Sequence, residues 1–135
     1  MITKQSIDIA EAGRVVAACS EAARERGVAV SIAVVDEGGV LLQFVRLAGA
    51  RGFTVDLASR KAPVAAAIGV PTAVLTEMSA RSPGPASESA VGAGGQPIVA
   101  RSMVVGAIGV SGATPDVDEA VAAAGIAALR DLIGQ

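Results

Sequence analysis

The residues that could perform chemistry are few in this 135-residue chain. It has no histidine, one cysteine and no tryptophan or tyrosine. Without an imidazole, histidine acid–base catalysis, a Ser-His-Asp triad and histidine-ligated metals are excluded. One cysteine cannot form an internal disulfide or a zinc–thiolate cluster within one chain. We therefore expect no metal site, and any chemistry falls to lysine, arginine and carboxylate side chains.

Lys61 is the sharpest candidate for a catalytic group, because the segment around it is otherwise small and apolar. A partly buried lysine can hold an anionic substrate, or can act as a base if its pKa is lowered. A carboxylate such as Glu77 or Asp36 would then supply the other half of an acid–base pair. The alternative is an exposed or snorkelling lysine that pairs with Asp56 or Glu77.

A second group of residues could bind an anion. Arg46 ends a predicted strand and could clamp a carboxylate through two hydrogen bonds, or simply close a salt bridge there. Gly94 and Gly95 let the backbone approach a ligand or another chain, although a tight turn would use them equally well. Ser111 and Gly112 precede a predicted helix, whose free N–H groups can receive an anion. If these residues converge with the lysine, they would form a small anion pocket.

The first half of the chain predicts a helix followed by a hairpin. Apolar residues at spacings of three and four predict a helix over 5–26, with its start capped by Thr3 or Ser6. Alternation predicts a strand over 28–35, a turn at 36–39 and a return strand over 40–46, which pair antiparallel. Asp36 opens the turn, where its side chain can accept backbone N–H groups. The buried face of the helix is predicted to comprise Ile9, Ala12, Val16, Cys19 and Ala23.

The middle of the chain predicts two short helices and a loop. Thr54 can cap a helix that runs through Lys61, and Pro63 is expected to kink or restart it. Residues 71–80 predict a further short helix. Residues 81–97 are rich in Ser, Pro, Gly and Ala, so they predict a long loop of the kind that is often functional.

The last third predicts a second hairpin and a closing helix. Strands are expected over 98–101 and 103–110, with a turn near Ser102. Thr114 and the proline after it are a strong helix start, and an acid such as Asp118 near that start is stabilised by the helix dipole. The buried face of the closing helix is predicted to comprise Val117, Val121, Ala124, Ala128 and Leu132.

The order of these elements predicts an α+β fold in a single domain spanning 1–135. A five-stranded antiparallel sheet with helices on both faces, of the profilin-like kind, accommodates it. Small residues on one face of the first strand predict a helix packed closely against that face.

The composition limits the kinds of binding partner that we expect. The chain is 52% hydrophobic, only 1% aromatic and carries a net charge of −2, which excludes disorder and makes a nucleic-acid partner unexpected. No apolar run is long enough to span a bilayer, so no membrane partner is expected. The single cysteine fits a reducing compartment, so we expect a cytoplasmic protein. A core of small side chains leaves apolar surface exposed, and we expect a homo-oligomer (a dimer, tetramer or octamer) to cover it.

Three segments, the last in two parts, resemble one known family. They are SIAVVDEGGVLLQFVR at 31–46, DLASRKA at 56–62, GGQPI at 94–98 and VGAIGVSG at 105–112, followed by Asp118 and Glu119. The chain resembles the GlcG/HbpS family, which also includes the C-terminal domain of PduO proteins. The resemblance implies a GlcG-like fold, an oligomer, a role for Lys61 as part of the family motif and, for many members, haem binding. Pro63 departs from the family pattern.

Haem is the cofactor that the resemblance raises, and no other cofactor is expected. The characterised haem binders of the family use histidine as an iron ligand, which this chain lacks. Cys19, Met78 or Met103 could ligate iron in its place, but Cys19 also fits a buried helix face and methionine is an ordinary core residue.

Three functions are therefore open. The first is a small-molecule-binding protein for an anionic metabolite, with cofactor-free catalysis as an extension. The second is an isomerase or hydrolase for a carboxylate substrate, with Lys61 and a carboxylate as acid and base and Arg46 orienting the substrate. The third is haem binding through a ligand other than histidine.

Overall fold

The computed structural model of the chain describes residues 1–82, 84 and 90–134, and the chain alternates helices and hairpins in the predicted order. The parts of the predicted loop at 83 and 85–89 lie outside the described residues. The elements are α1 (Ile9–Glu25), β1 (Ser31–Asp36), β2 (Leu41–Arg46), α2 (Phe53–Ile68), α3 (Thr72–Arg81), β3 (Gly95–Ala100), β4 (Met103–Ser111), α4 (Pro115–Ala127) and α5 (Arg130–Ile133).

The sheet joins the two hairpins through their inner strands. Its order is β2-β1-β4-β3 and every neighbouring pair is antiparallel. The α+β fold with an antiparallel sheet is as predicted. The predicted number of five strands is wrong: within residues 1–82, 84 and 90–134 the sheet has four. Two hairpins supply four strands, and the rest of the described chain forms helices and their connections.

The two faces of the sheet carry side chains of different size. Ile32 and Val34 point into the larger core under α1 and α4, while Ala33 and Val35 point towards α2. The small side chains let α2 approach closely, as predicted from the alternation in β1. At Gly109 of β4 the approach is so close that a Cβ atom would lie 2.3 Å from the Ala58 carbonyl oxygen of α2.

Helix α1 begins later than the sequence indicates. Asp8 is its N-cap: the Asp8 carboxylate accepts the Glu11 N–H and the Glu11 carboxylate accepts the Asp8 N–H, both at 2.9 Å. This reciprocal capping box satisfies two free donors at once, which neither Thr3 nor Ser6 could do from its position. The predicted cap at Thr3 or Ser6 is therefore wrong.

The residues before α1 lie along the sheet instead of extending the helix. Ile7 donates its backbone N–H to the Val105 carbonyl at 2.9 Å, and its side chain is buried against Gly106. Because Ile7 fills this place, Ile9 turns outward and its side chain is 61% exposed. The prediction that Ile9 is buried is wrong.

Helix α2 runs from Phe53 to Ile68 and continues through Pro63. The helix therefore does not restart at this proline. A proline removes one intrahelical donor, and the close packing of α2 on the sheet outweighs that loss. Gly52 is the N-cap in place of the predicted Thr54, whose hydroxyl is buried 2.9 Å from the Ser31 hydroxyl. The helix ends at Gly69, which adopts a φ of 70°.

The closing helix is divided in two. Helix α4 ends at Ala127 and α5 begins at Arg130, which shifts the phase of the buried face. Leu129 and Ile133 are buried as a result, whereas Leu132 is 52% exposed, contrary to the prediction.

No described helix alone is long and apolar enough to cross a membrane. Helices α2 and α3 taken together pass that test by length and composition only, with a bend of 85° between them.

Candidate functional site

Lys61 lies on the inner side of α2, and its side chain is only 5% exposed. The ammonium group donates to the Val110 carbonyl of β4 at 2.8 Å and lies 3.5 Å from a carboxylate oxygen of Asp118 in α4. Helix α2 covers one face of the sheet and α4 the other. The lysine therefore connects the two outer layers past the end of β4.

Asp118 is held from the opposite side by a backbone donor. Its second carboxylate oxygen accepts the Ala113 N–H at 2.9 Å, and the nearby Gly112 N–H makes only a small contribution to lowering its pKa. The side chain lies in the first turn of α4 and is 6% exposed. The carboxylate thus fixes the connection between β4 and α4, in addition to the dipole stabilisation expected there.

Burial dominates the electrostatics of both groups. Desolvation lowers the pKa of Lys61, and the Asp118 carboxylate opposes this only in part. Desolvation likewise raises the pKa of Asp118, against the Ala113 N–H and the Lys61 charge. Because both pKa values move towards the neutral forms, the attraction across 3.5 Å is weaker than the cost of removing the two charges from water.

Two glycines close the site from the start of β3. A Cβ atom at Gly94 would lie 2.3 Å from the Val110 carbonyl oxygen and 3.1 Å from the Lys61 nitrogen. A Cβ atom at Gly95 would lie 2.8 Å from the Lys61 carbonyl oxygen and 2.4 Å from Thr72 of α3. The backbone of β3 therefore packs directly on the lysine, and the glycines serve close packing there.

The structure brings together Lys61, Gly94, Gly95 and Gly112, with the buried Ser111 beside them at the end of β4. It separates the remaining predicted residues from the lysine. Asp36 closes its turn by accepting the N–H groups of residues 38 and 40, each at 2.9 Å. Glu77 is exposed on α3 and pairs with Arg81 at 2.5 Å.

The partner of Lys61 is the residue that the sequence did not identify. Asp116, Asp118 and Glu119 are neighbours near the start of one helix, and nothing in their order selects one of them. The available signal was the buried lysine itself, because a buried ammonium requires an acidic or carbonyl partner.

A separate cationic patch surrounds the beginning of α2. Arg46 is exposed, and its guanidinium donates to the Ala50 carbonyl at 3.0 Å, which holds it over the loop before α2. Arg51 is also exposed, and neither arginine forms an ion pair within the described part of the chain. Phe53 follows and is 62% exposed, and no side chain caps the first turn of α2. We call Arg46, Arg51 and Phe53 the α2-entrance patch.

Of the residues proposed for iron ligation, Cys19 lies in the core, whereas Met78 and Met103 are exposed. Cys19 is fully buried, burial raises the pKa of its thiol to about 12, and a Cβ atom at Gly125 would lie only 2.7 Å from its sulfur. A porphyrin could not enter this packing. Met78 and Met103 lie on the surface, 60% and 54% exposed. Among the described residues there is also no cluster of three or more His, Cys, Asp or Glu side chains that could hold a metal.

The chain has a four-stranded antiparallel sheet between α1/α4 and α2, and a buried lysine–aspartate pair connects α2 with α4. This arrangement places it among α+β proteins with helices on both faces of the sheet. The sequence profile described as haem degrading protein HbpS-like matches residues 7–127. The chain therefore belongs to the HbpS-like family.

Solved structures agree with this assignment. Protein ORFY of Klebsiella pneumoniae is 28% identical with a TM-score of 0.90, over 98% of this chain and 96% of that chain. A double mutant of HbpS from Streptomyces reticuli is 36% identical with a TM-score of 0.87, over 96% and 90%. The haem complex of PduOC shares the fold at 22% identity and a TM-score of 0.80, over 91% and 94%. A comparison with curated proteins finds no match.

Proposed function

We propose that this HbpS-like protein binds a small anionic molecule at the α2-entrance patch. The observation that carries the proposal is the pair of exposed arginines, Arg46 and Arg51, that lack a carboxylate partner in the described chain. The hydrogen bond from Arg46 to the Ala50 carbonyl uses one donor and leaves the rest of the guanidinium available. The first turn of α2 adds the positive end of a helix dipole, while its Thr54 and Val55 N–H groups donate to the Arg51 and Gly52 carbonyls.

The patch also indicates the shape of the ligand. Arginine pairs with carboxylate and phosphate groups through two parallel hydrogen bonds, so either group would suit Arg46. Phe53, two residues after Arg51, is exposed and offers an apolar surface at the start of the same helix. An anion that carries a flat apolar body, such as an aromatic carboxylate, uses both features.

The alternative of an isomerase or hydrolase has less support from the geometry. Lys61 is enclosed by Gly94 and Gly95, and its hydrogen bonds are directed to Val110 and Asp118. A general base must reach the proton that it abstracts, and the predicted partners Glu77 and Asp36 lie elsewhere. The pair therefore supports a structural role in this chain.

The proposal is tested by titrating the ¹⁵N-labelled protein with benzoate and, separately, with inorganic phosphate. We expect saturable shifts of the backbone amides at 50–54, and we expect Arg46→Gln to weaken benzoate binding about tenfold because a charge-assisted hydrogen bond is lost. Arg130→Gln is the matched control, since Arg130 is an exposed arginine of α5 without an ion pair in the described chain. Equal affinities for wild type and Arg46→Gln would reject the patch as the binding site.

Haem is a second candidate, because the family description names haem and because Met78 and Met103 present thioethers to solvent. A haemin titration followed by absorbance distinguishes it from the first proposal. A saturable Soret band near one haem per chain that disappears in Met78→Ala or Met103→Ala would favour haem. Slow adsorption that does not saturate would argue against haem and would leave anion binding as the remaining proposal.

A further inference from the structure

A groove opens at the end of the sheet opposite to the α2-entrance patch. Ser31 pairs with Arg46 and with Ser111 at one end of β1, while Asp36 pairs with Gly106 at the other. Beyond Gly106, the segment before α1, the β3–β4 hairpin and α5 enclose two adjoining hollows of about 350 and 450 Å³. The smaller hollow has a volume within the usual range of small-molecule sites.

The first hollow is mainly apolar, with Gln5, Ser6 and Glu11 as its polar lining residues. Its floor consists of the buried side chains of Ile7, Val105, Leu129 and Ile133, and Leu132 projects over it with 52% of its side chain exposed. Glu11 also lines this hollow, but its carboxylate accepts the Asp8 N–H in the capping box of α1. An apolar molecule that displaced water from this floor would gain about 0.8 kcal/mol for each methylene group that it buries.

The second hollow is polar and cationic. It shares Leu132 and Ile133 with the first and adds Arg101, Ser102 and Asp131. Asp131 is already paired with Arg14 at 2.6 Å, and the hydrogen bond from Arg14 keeps the pKa of the Asp131 carboxyl below its usual value. Arg101 has no such partner within the described chain. Among the described residues that line this end of the groove, the unmatched charge is therefore positive.

Arg101 is also held in place by the backbone. Arg101 and Ser102 form the turn of the β3–β4 hairpin with positive φ values of 52° and 66°. Such values are uncommon for residues other than glycine, and they are characteristic of a tight two-residue hairpin turn. The turn fixes the point from which the guanidinium extends beside the apolar hollow.

We propose that this groove binds a small carboxylic acid with an apolar tail, with the carboxylate at Arg101 and the tail over Ile7, Leu129 and Ile133. The charge arrangement selects an anion at one end, and the apolar floor selects a hydrocarbon body at the other. Glu11 at the apolar end opposes the reverse orientation. The inference is independent of the α2-entrance patch, because the two sites share no residue and lie at opposite ends of the sheet.

The test titrates the full chain with hexanoate, followed by amide shifts in ¹⁵N–¹H spectra at 100–102 and 129–134. We expect saturable shifts there, and affinity that rises about fourfold for each methylene added from propionate to hexanoate. Hexylamine, which has the same tail and the opposite charge, should not saturate these positions. Arg101→Gln should weaken hexanoate binding about tenfold, while Arg130→Gln, outside the groove on the same helix as Leu132, should not.

Three outcomes would overturn the proposal. They are hexanoate shifts that do not saturate at 100–102, equal affinities for hexanoate and hexylamine, or an Arg101→Gln variant that binds hexanoate as the wild type does. Arg46→Gln separates the two sites: it should leave hexanoate binding in the groove unchanged even if it abolishes benzoate binding at the α2-entrance patch. Failure of one site therefore does not conceal the result at the other.

Discussion

Replacement of Lys61 by methionine isolates the energetic role of the buried pair. Methionine is unbranched and similar in length to the lysine stem, so it can fill the same space in α2 without enlarging the side chain. The substitution removes the hydrogen bond to the Val110 carbonyl and the only cation beside the Asp118 carboxylate within the described chain. Asp118 keeps the hydrogen bond from the Ala113 N–H.

The expected cost is large compared with the stability of a small domain. Removal of one partner from a buried ion pair costs about 3–5 kcal/mol, because the other charge stays buried without compensation. The remaining backbone donor to Asp118 reduces this cost, so we expect the free energy of unfolding to fall by about 3 kcal/mol at neutral pH. Domains of this size are stable by about 5–15 kcal/mol, so the variant should still fold.

The destabilisation caused by Lys61→Met should depend on pH through the titration of Asp118. Burial raises the pKa of this carboxyl above its usual value of 3.8, so just above pH 3.8 the folded protein holds a proton that the unfolded chain has released. The contribution of Asp118 to stability therefore falls as the pH rises through that range. Loss of the Lys61 charge raises the pKa further, so Lys61→Met should be more destabilising at pH 7 than near pH 4.

A double-mutant cycle with Asp118→Asn completes the test. Both pKa values move towards the neutral forms, which indicates that the charges gain little from each other. The double variant should therefore be more stable than Lys61→Met alone, by about 1–3 kcal/mol. Urea denaturation of all four proteins measures these values. A cost below about 1 kcal/mol for Lys61→Met, or no recovery in the double variant, would refute the assignment of a buried charge pair.

Two further predictions concern packing near the pair and in the main core. Gly94→Ala should lower the free energy of unfolding by more than about 3 kcal/mol, because its Cβ would lie 2.3 Å from the Val110 oxygen at a φ of 114°. Gly92→Ala, at a φ of 82° with open space around it, should lower it by about 1 kcal/mol in denaturant melts. Equal losses for the two variants would contradict the proposed close packing. The Cys19 thiol, whose pKa burial raises to about 12, should react with a disulfide reagent only after unfolding, and rapid labelling of the native protein would contradict its burial.

The sequence predicted local pairing well. The turn at 36–39 and the alternation on either side of it were enough to identify the β1–β2 hairpin, and the small face of β1 indicated the close approach of α2. These features depend on neighbouring residues, so a single sequence contains them. The small apolar residues around Lys61 left a partly buried and an exposed lysine open, and the structure shows the buried one.

Features that depend on distant segments were not predictable. The choice of Asp118 as the lysine partner depends on α4 reaching the end of β4 from the other face of the sheet. From the sequence, Gly94 and Gly95 resembled loop residues, because a glycine pair gives no sign of the helix that packs against it. In the structure, β3 begins at Gly95 and both glycines lie against Lys61 of α2. Pro63 was expected to kink or restart α2, but the helix continues through it without a restart, because tertiary packing can outweigh local preference. The homo-oligomer stays a prediction.

The most direct measurement of the central claim is the residue-resolved titration of wild type and Arg46→Gln with benzoate. If the anion binds at the α2-entrance patch, we expect saturable shifts of the amides at 50–54 in the wild type and about tenfold weaker binding in Arg46→Gln. The signals around Lys61 should stay unchanged. Saturable shifts centred on Lys61, Gly94 and Asp118, with no effect of the Arg46 substitution, would contradict it and would place the ligand at the buried pair.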